Sequence, residues 1–97
     1  MKRPCVYILA SARNGTLYTG VTSNIAQRVW QHRNGQGAVF TRRYRVFQLV
    51  YLEFHASMLE AIAREKQIKT WHRPWKLELI ERSNPEWRDL YGDLIGL

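Results

Sequence analysis

The sequence predicts a small α/β (α+β) fold: a three-stranded, largely antiparallel sheet flanked by helices, in the order β-β-α-β-α-α with a short terminal helix. Three observations lead there. Two early apolar runs are closed by Asn14-Gly15, a later run is apolar almost without interruption, and the remaining stretches carry helix caps and a helical spacing of apolar residues. With 97 residues, positions 1–97 read as one domain, large enough for a modest core and too small to hold a separate recognition domain as well.

Cys5-Val6-Tyr7-Ile8-Leu9 and Thr16-Leu17-Tyr18-Thr19-Gly20-Val21 are the arms of a hairpin over roughly residues 4–11 and 16–22. Asn and Gly suit its turn because both tolerate the positive φ that tight turns need. An even number of loop residues pairs odd positions of the first strand with even ones of the second, so Tyr7, Tyr18 and Gly20 share a face; an odd number parts the phenols. Thr22, Ser23 and Asn24 then offer N-caps for a helix from Ile25 to about Asn34, stopped by Gly35 and Gly37. Ile25, Ala26 and Val29 form its apolar arc, while Arg28 and His32, four apart, lie along one edge.

Residues 35–45 read as a loop carrying Arg42, Arg43 and Arg45, and Val46 to Phe54 as a third, central strand. Ser57 caps a helix running to about Thr70. Met58, Ala61, Ile62 and Ile68 make its apolar arc and Glu65 falls near the middle, where a carboxylate aimed at a core needs a partner. His72-Arg73-Pro74 breaks that helix, and Trp75 to about Glu81 forms another. Asn84-Pro85-Glu86-Trp87 has the order of N-cap, proline and acid, so the final turn is expected to start at Asn84.

Composition narrows the function classes. Cys5 is the only cysteine, which leaves no internal disulfide and argues against a cysteine-based zinc cluster. No apolar run approaches the roughly 20 residues that span a bilayer, and the opening Met1-Lys2-Arg3-Pro4 lacks the form of a signal peptide. A cytoplasmic location, away from membrane, is the expectation. The 15 Lys+Arg against 8 Asp+Glu give a formal charge of +7, a field that attracts polyanions. Arg outnumbers Lys, and its planar fork matches phosphate oxygens. Arg42, Arg43 and Arg45, with Tyr44 interleaved, read as contacts to a nucleic-acid backbone or as a solvated loop.

Tyr7, Tyr18 with Gly20, Arg28, His32 and Glu65 are expected to point from the hairpin and two helices toward one sheet face. In that ordered set the chain resembles the GIY-YIG nuclease superfamily, in its short single-domain branch. The resemblance rests on Val6-Tyr7-Ile8-Leu9, Tyr18-Thr19-Gly20, Arg28-x-x-x-His32, Glu65-x-x-Ile68-Lys69-x-Trp71 and Asn84-Pro85-x-Trp87-x-Asp89-Leu90. Each piece alone is weak, and the ordered series is specific. The two name triplets stand here as Cys5-Val6-Tyr7 and Tyr18-Thr19-Gly20, keeping the tyrosines and the final glycine and changing buried filler.

The resemblance implies a metal-dependent endonuclease that hydrolyses phosphodiester bonds of DNA, ahead of RNA, by structure rather than by sequence. It further implies a tyrosine that deprotonates the attacking water, Arg28 and His32 at the phosphate, one Mg²⁺ or Mn²⁺ on Glu65, and an asparagine, here Asn84, close by. A monomer, with a protein partner supplying targeting, accompanies that expectation.

Bottom-up chemistry sets conditions on these roles. A single carboxylate suffices for Mg²⁺, which keeps several waters and takes further oxygens from phosphate; the competing reading of Glu65 is an ion pair with Lys69 at i+4 or with an arginine. Tyr7 as the base needs its pKa lowered by about two units, about 2.7 kcal/mol, for roughly a tenth to be phenolate at neutrality. Tyr18 and His32 are the other routes for that proton. Arg28 and His32 also read as a solvated helix edge, Asn84 as a plain cap, and the whole face as a non-catalytic nucleic-acid-binding module.

Overall fold

The computed structural model describes residues 2–96. Strand β1 (Cys5–Ala10) lies at the centre of the sheet, antiparallel to β2 (Leu17–Thr22) on one side and to β3 (Gln48–Phe54) on the other. The central place expected for the third strand thus belongs to the first. β3 is an edge strand whose run is apolar because helices cover both its faces: Val50 packs to one side and Leu49 to the other.

Each sheet face has its own core. Val6, Ile8, Ala10 and Val50 meet Ala61 and Ile68 of α3 (Met58–Lys69), Ile80 of α4 (Arg73–Ser83) and Trp87. On the other face Cys5, Tyr7, Leu9, Leu49 and Val46 meet Ile25 and Val29 of α1 (Ile25–Arg33). All six β1 residues are buried, as follows for a strand paired on both edges and covered on both faces.

The hairpin has the expected parity. Ser11 N–H donates to Thr16 O at 3.0 Å across the loop of residues 11–16, and Asn14 takes φ +58°. Tyr7 therefore stands opposite Gly20 and Leu9 opposite Tyr18, which puts Tyr7, Tyr18 and Gly20 on the α1 side. The turn is tied to α4 by Arg73, whose guanidinium donates to Asn14 O at 2.8 Å and Gly15 O at 2.7 Å.

Two further expectations fail. The stretch expected to be a loop contains a helix, α2 (Val39–Tyr44), ended by Arg45 in the left-handed region at φ +57°. It has no side-chain cap; the Thr41 hydroxyl instead donates to Ala38 O at 2.8 Å, a local back-bond open to Ser and Thr. The second correction concerns Asn84, which is the C-cap of α4 rather than the N-cap of a following helix; α5 starts only at Tyr91 (Tyr91–Leu94). The buried Asn84 amide donates to Val50 O at 3.0 Å and Arg88 O at 2.9 Å and accepts from Arg88 N–H at 3.0 Å, so it pins the turn after α4 to β3. Further on, Asp89 accepts from Leu49 N–H at 3.2 Å and pairs with Arg33 at the end of α1. No described helix is long and apolar enough to cross a membrane.

Asn84→Ala strips three hydrogen bonds from a buried site. It is expected to lower stability by about 1–3 kcal/mol, which for a domain of this size is several degrees of melting temperature at about 4–8 °C per kcal/mol. Thermal denaturation followed by circular dichroism checks this, and an unchanged melting point contradicts it.

Candidate active site

Asn24 starts α1 by accepting from Gln27 N–H at 3.2 Å, and the helical repeat from there brings Ile25, Val29 and His32 onto the buried stripe. His32 is thus a floor residue, 0% exposed, rather than part of a helix edge. One ring nitrogen, Nε2, lies 2.9 Å from Tyr7 Oη, and the other, Nδ1, lies 2.9 Å from Thr41 Oγ1. Tyr18 leans over the pair, with ring centroids 6.4 Å from Tyr7 and 5.4 Å from His32.

Two glycines make this approach possible. A Cβ at Gly20 would collide with the Tyr7 hydroxyl, and one at Gly37 would collide with His32 Nδ1. Thr41 could not be found from the sequence because it acts from α2, a helix that its apolar spacing does not announce, and Gly37, in the turn before α2, reads there only as a helix stop.

Arg28 stands one turn before His32, partly exposed, with its guanidinium donating to Gln31 Oε1 at 3.2 Å. Burial pushes the Tyr7 phenol up to about 12, and the nearby Arg28 offsets only part of that. The side chains around it thus hold the Tyr7 phenol protonated at neutral pH. Burial, reinforced by the Arg28 charge, pushes His32 down to about 4, so its imidazole is neutral at physiological pH. Tyr7 is 1% exposed; Tyr18 and Arg28 are the members of the group that open to solvent.

The aromatic group continues outward. Tyr18 stacks on Phe40 of α2 at 6.1 Å and 28°, and Phe40 meets Tyr44 at 4.9 Å. Arg42, Arg43 and Arg45 are all exposed beside them, with Arg43 over the Tyr44 ring at 5.6 Å. Sequence placed these arginines on a loop; the helix and its αL cap arrange them around an aromatic surface.

Glu65 was expected on the same sheet face as the phenols, but α3 covers the opposite face, over β1 and the edge strand β2. Glu65 shares the buried stripe of α3, between Ala61 and Ile68, and its partner is the Lys69 ammonium at 2.7 Å. Its side chain is 13% exposed and that of Lys69 50%. A recessed carboxylate that already holds a displaceable cation has the chemistry of a single-donor Mg²⁺ ligand; among the described residues no three His, Cys, Asp or Glu side chains converge as a metal cage. Asn84 lies with the α4 turn and β3 and is occupied by its capping bonds.

A second cluster on the α3 side was not anticipated. Glu53 accepts from Tyr51 Oη and from His55 Nε2, each at 2.6 Å, and from Arg64 Nε at 3.1 Å. Burial opposes its ionisation, but these bonds outweigh burial and hold the carboxyl below its usual range. The alternation along β3 hid it, because Glu53 reads there as one polar break in an apolar strand.

The pattern of the GIY-YIG catalytic domain matches residues 3–78. This chain belongs to the GIY-YIG family. Among similar GIY-YIG proteins, UPF0213 protein SSP2268 of Staphylococcus saprophyticus is 44% identical over 80 residues, covering 82% of this chain and 96% of the relative. UPF0213 protein SH2523 of Staphylococcus haemolyticus is 42% identical over 81 residues, covering 84% and 98%. The solution NMR structure of the UPF0213 protein BH0048 from Bacillus halodurans superposes with a TM-score of 0.56 at 30% identity, over 93% of this chain and 95% of that one. The three-stranded sheet and its flanking helices are thus shared with that structure.

The histidine floor makes stability depend on pH. Folded His32 stays neutral down to about 4, whereas an unfolded histidine titrates near ~6.5, so between these values the unfolded chain binds the extra proton. Stability is full above about pH 6.5 and falls as pH drops toward 4, by up to about 1.4 kcal/mol per pH unit. Urea midpoints between pH 7 and 4.5 should show this slope, and His32→Gln should flatten it. Gly20→Ala should cost about 1–3 kcal/mol through overpacking against Tyr7, read from the same urea curves.

Proposed function

We propose that this chain is a metal-dependent endonuclease that hydrolyses phosphodiester bonds of DNA, its residues 1–97 working in the cytoplasm as one catalytic domain and as a monomer. The observation that carries the reading is the convergence of Tyr7, Tyr18, Arg28 and His32 beside Gly20, in a chain of the family whose members are usually nucleases. The charge of +7 supports a polyanionic substrate.

In this reading Arg28, open to solvent, receives the scissile phosphate and neutralises charge as it builds up. Tyr18, the solvent-facing phenol, takes the proton of the attacking water as it releases its own hydroxyl proton to solvent, while Tyr7 and His32 behind it form a hydrogen-bonded floor that keeps bulk water out. Glu65, on the helix that packs over the β2 edge of the sheet, is the residue that would hold a Mg²⁺ or Mn²⁺ once released from Lys69, with the substrate reaching it past that edge. When bound, the ion supplies Lewis acidity at phosphate oxygens. Arg42, Arg43 and Arg45 contact the DNA backbone, which selects by strand geometry rather than base sequence; a protein partner supplies targeting.

The position of α3 and the Glu65–Lys69 pair favour a second reading, a nucleic-acid-binding module that holds phosphates without cutting them. One panel separates the two. Branched, flapped, single-stranded and duplex DNA, with RNA counterparts, are incubated with Mg²⁺ or Mn²⁺ and with chelator. The nuclease reading expects metal-dependent cutting, a fall in kcat of about 10²–10⁴ for Tyr18→Phe, a loss of at least about 10² for Arg28→Ala, and loss of cutting in Glu65→Ala. Salt-dependent binding with no cutting of any substrate supports the module instead.

Replacing Arg42, Arg43 and Arg45 together by alanine should weaken binding about equally for all sequences. It should also flatten the plot of log affinity against log salt by about 2–3, since each phosphate contact contributes about 0.7–0.9. An unchanged slope would remove α2 from the interface.

A further inference from the structure

The imidazole under the phenols has two ring nitrogens and two oxygen neighbours, and counting protons settles how they are shared. Thr41 Oγ1 donates to Ala38 O at 2.8 Å and lies 2.9 Å from His32 Nδ1. A hydroxyl has one proton, so with that proton on the carbonyl the Thr41 oxygen must accept from His32, and the imidazole proton sits on Nδ1. Nε2 of the neutral ring is then bare and accepts from Tyr7 Oη at 2.9 Å.

The opposite assignment has Thr41 donating to Nδ1 and Nε2–H donating to Tyr7. It leaves the hydroxyl proton of Tyr7, a residue only 1% exposed, with no acceptor. Such a group costs roughly 1–3 kcal/mol. The chain of donors therefore runs one way, from Tyr7 through His32 and Thr41 to the Ala38 carbonyl.

We infer that Thr41 is a positioning residue: it locks His32 in the Nδ1–H tautomer and so aims the Tyr7 hydroxyl inward at Nε2, leaving the phenol oxygen to face Tyr18 and Arg28 as an acceptor. Gly37 is the second half of the device, since any side chain there would displace the ring from Thr41. The functional half of this inference rests on the nuclease reading. A site that must take a proton from water gains an acceptor at its inner wall. The Tyr7 oxygen then accepts a hydrogen bond from the incoming water while its own hydroxyl proton stays directed at Nε2, so the water is oriented and the buried imidazole remains neutral. With the ring turned to the other tautomer, Tyr7 presents a proton where an acceptor is needed.

The lock is read independently of cutting by long-range ¹H–¹⁵N correlation of the imidazoles at neutral pH, with the His32 signals identified by their loss in His32→Gln. The expected wild-type spectrum has a protonated Nδ1 and an unprotonated Nε2. Thr41→Val, close in shape but without the hydroxyl, should move His32 toward the Nε2–H form or a mixture and lower kcat by at least about tenfold with little change in KM. Thr41→Ser should restore both. An Nε2–H tautomer in the wild type overturns the inference, as does a folded Thr41→Val protein whose imidazole spectrum is unchanged. An Nδ1–H spectrum that Thr41→Val disrupts, in a protein that cuts nothing, upholds the lock and counts against the nuclease reading.

Discussion

The constraint on which the candidate site depends is the burial of His32. An imidazole fully removed from water must be neutral and must satisfy both nitrogens, or its desolvation goes uncompensated. Tyr7 from the central strand and Thr41 from α2 meet those two demands. Three elements, β1, α1 and α2, are thereby held at fixed separation by one ring. The glycines opposite them, Gly20 and Gly37, follow from the same demand, since each clears a side of the Tyr7–His32 pair.

The sheet divides the remaining work. Its α3–α4 face carries an apolar core and a fully satisfied carboxylate network around Glu53. Its α1–α2 face carries the tyrosines, the histidine and an outward run of aromatic rings toward exposed arginines. The face with the phenols holds Arg28 and the α2 arginines, while Glu53 and Glu65, each paired with a cation of α3, belong to elements of the other.

Much of this was legible in the residues. The Asn-Gly turn and the parity of its loop placed Tyr7, Tyr18 and Gly20 together, because strand periodicity leaves only two faces to choose from. The spacing of Arg28 and His32 placed both on α1, but a single helix wheel could not tell a buried edge from a wet one, and His32 proved to be the floor. Helix α2 was hidden since its six residues are too few to show a period and its stop is an arginine in the αL region, where glycine or asparagine is the usual signal. Asn84 misled for a different reason: the same amide that caps a helix start can close a helix end, and only the carbonyl of Val50, far away in sequence, decides which. The face occupied by Glu65 was likewise a matter of how α3 crosses the sheet, about which its own wheel is silent.

The segment after α4 lies beyond the part of the chain that matches the family pattern, yet it is not an appendage. Asp89 accepts from the Leu49 amide on β3 and binds Arg33, the residue that follows His32; Leu90 N–H donates to Leu49 O at 2.7 Å. These bonds act as a strap from the outer edge of the sheet to the last turn of α1. The smallest piece of this protein that keeps its histidine floor in register therefore extends past residue 78, to the aspartate that fastens the strap.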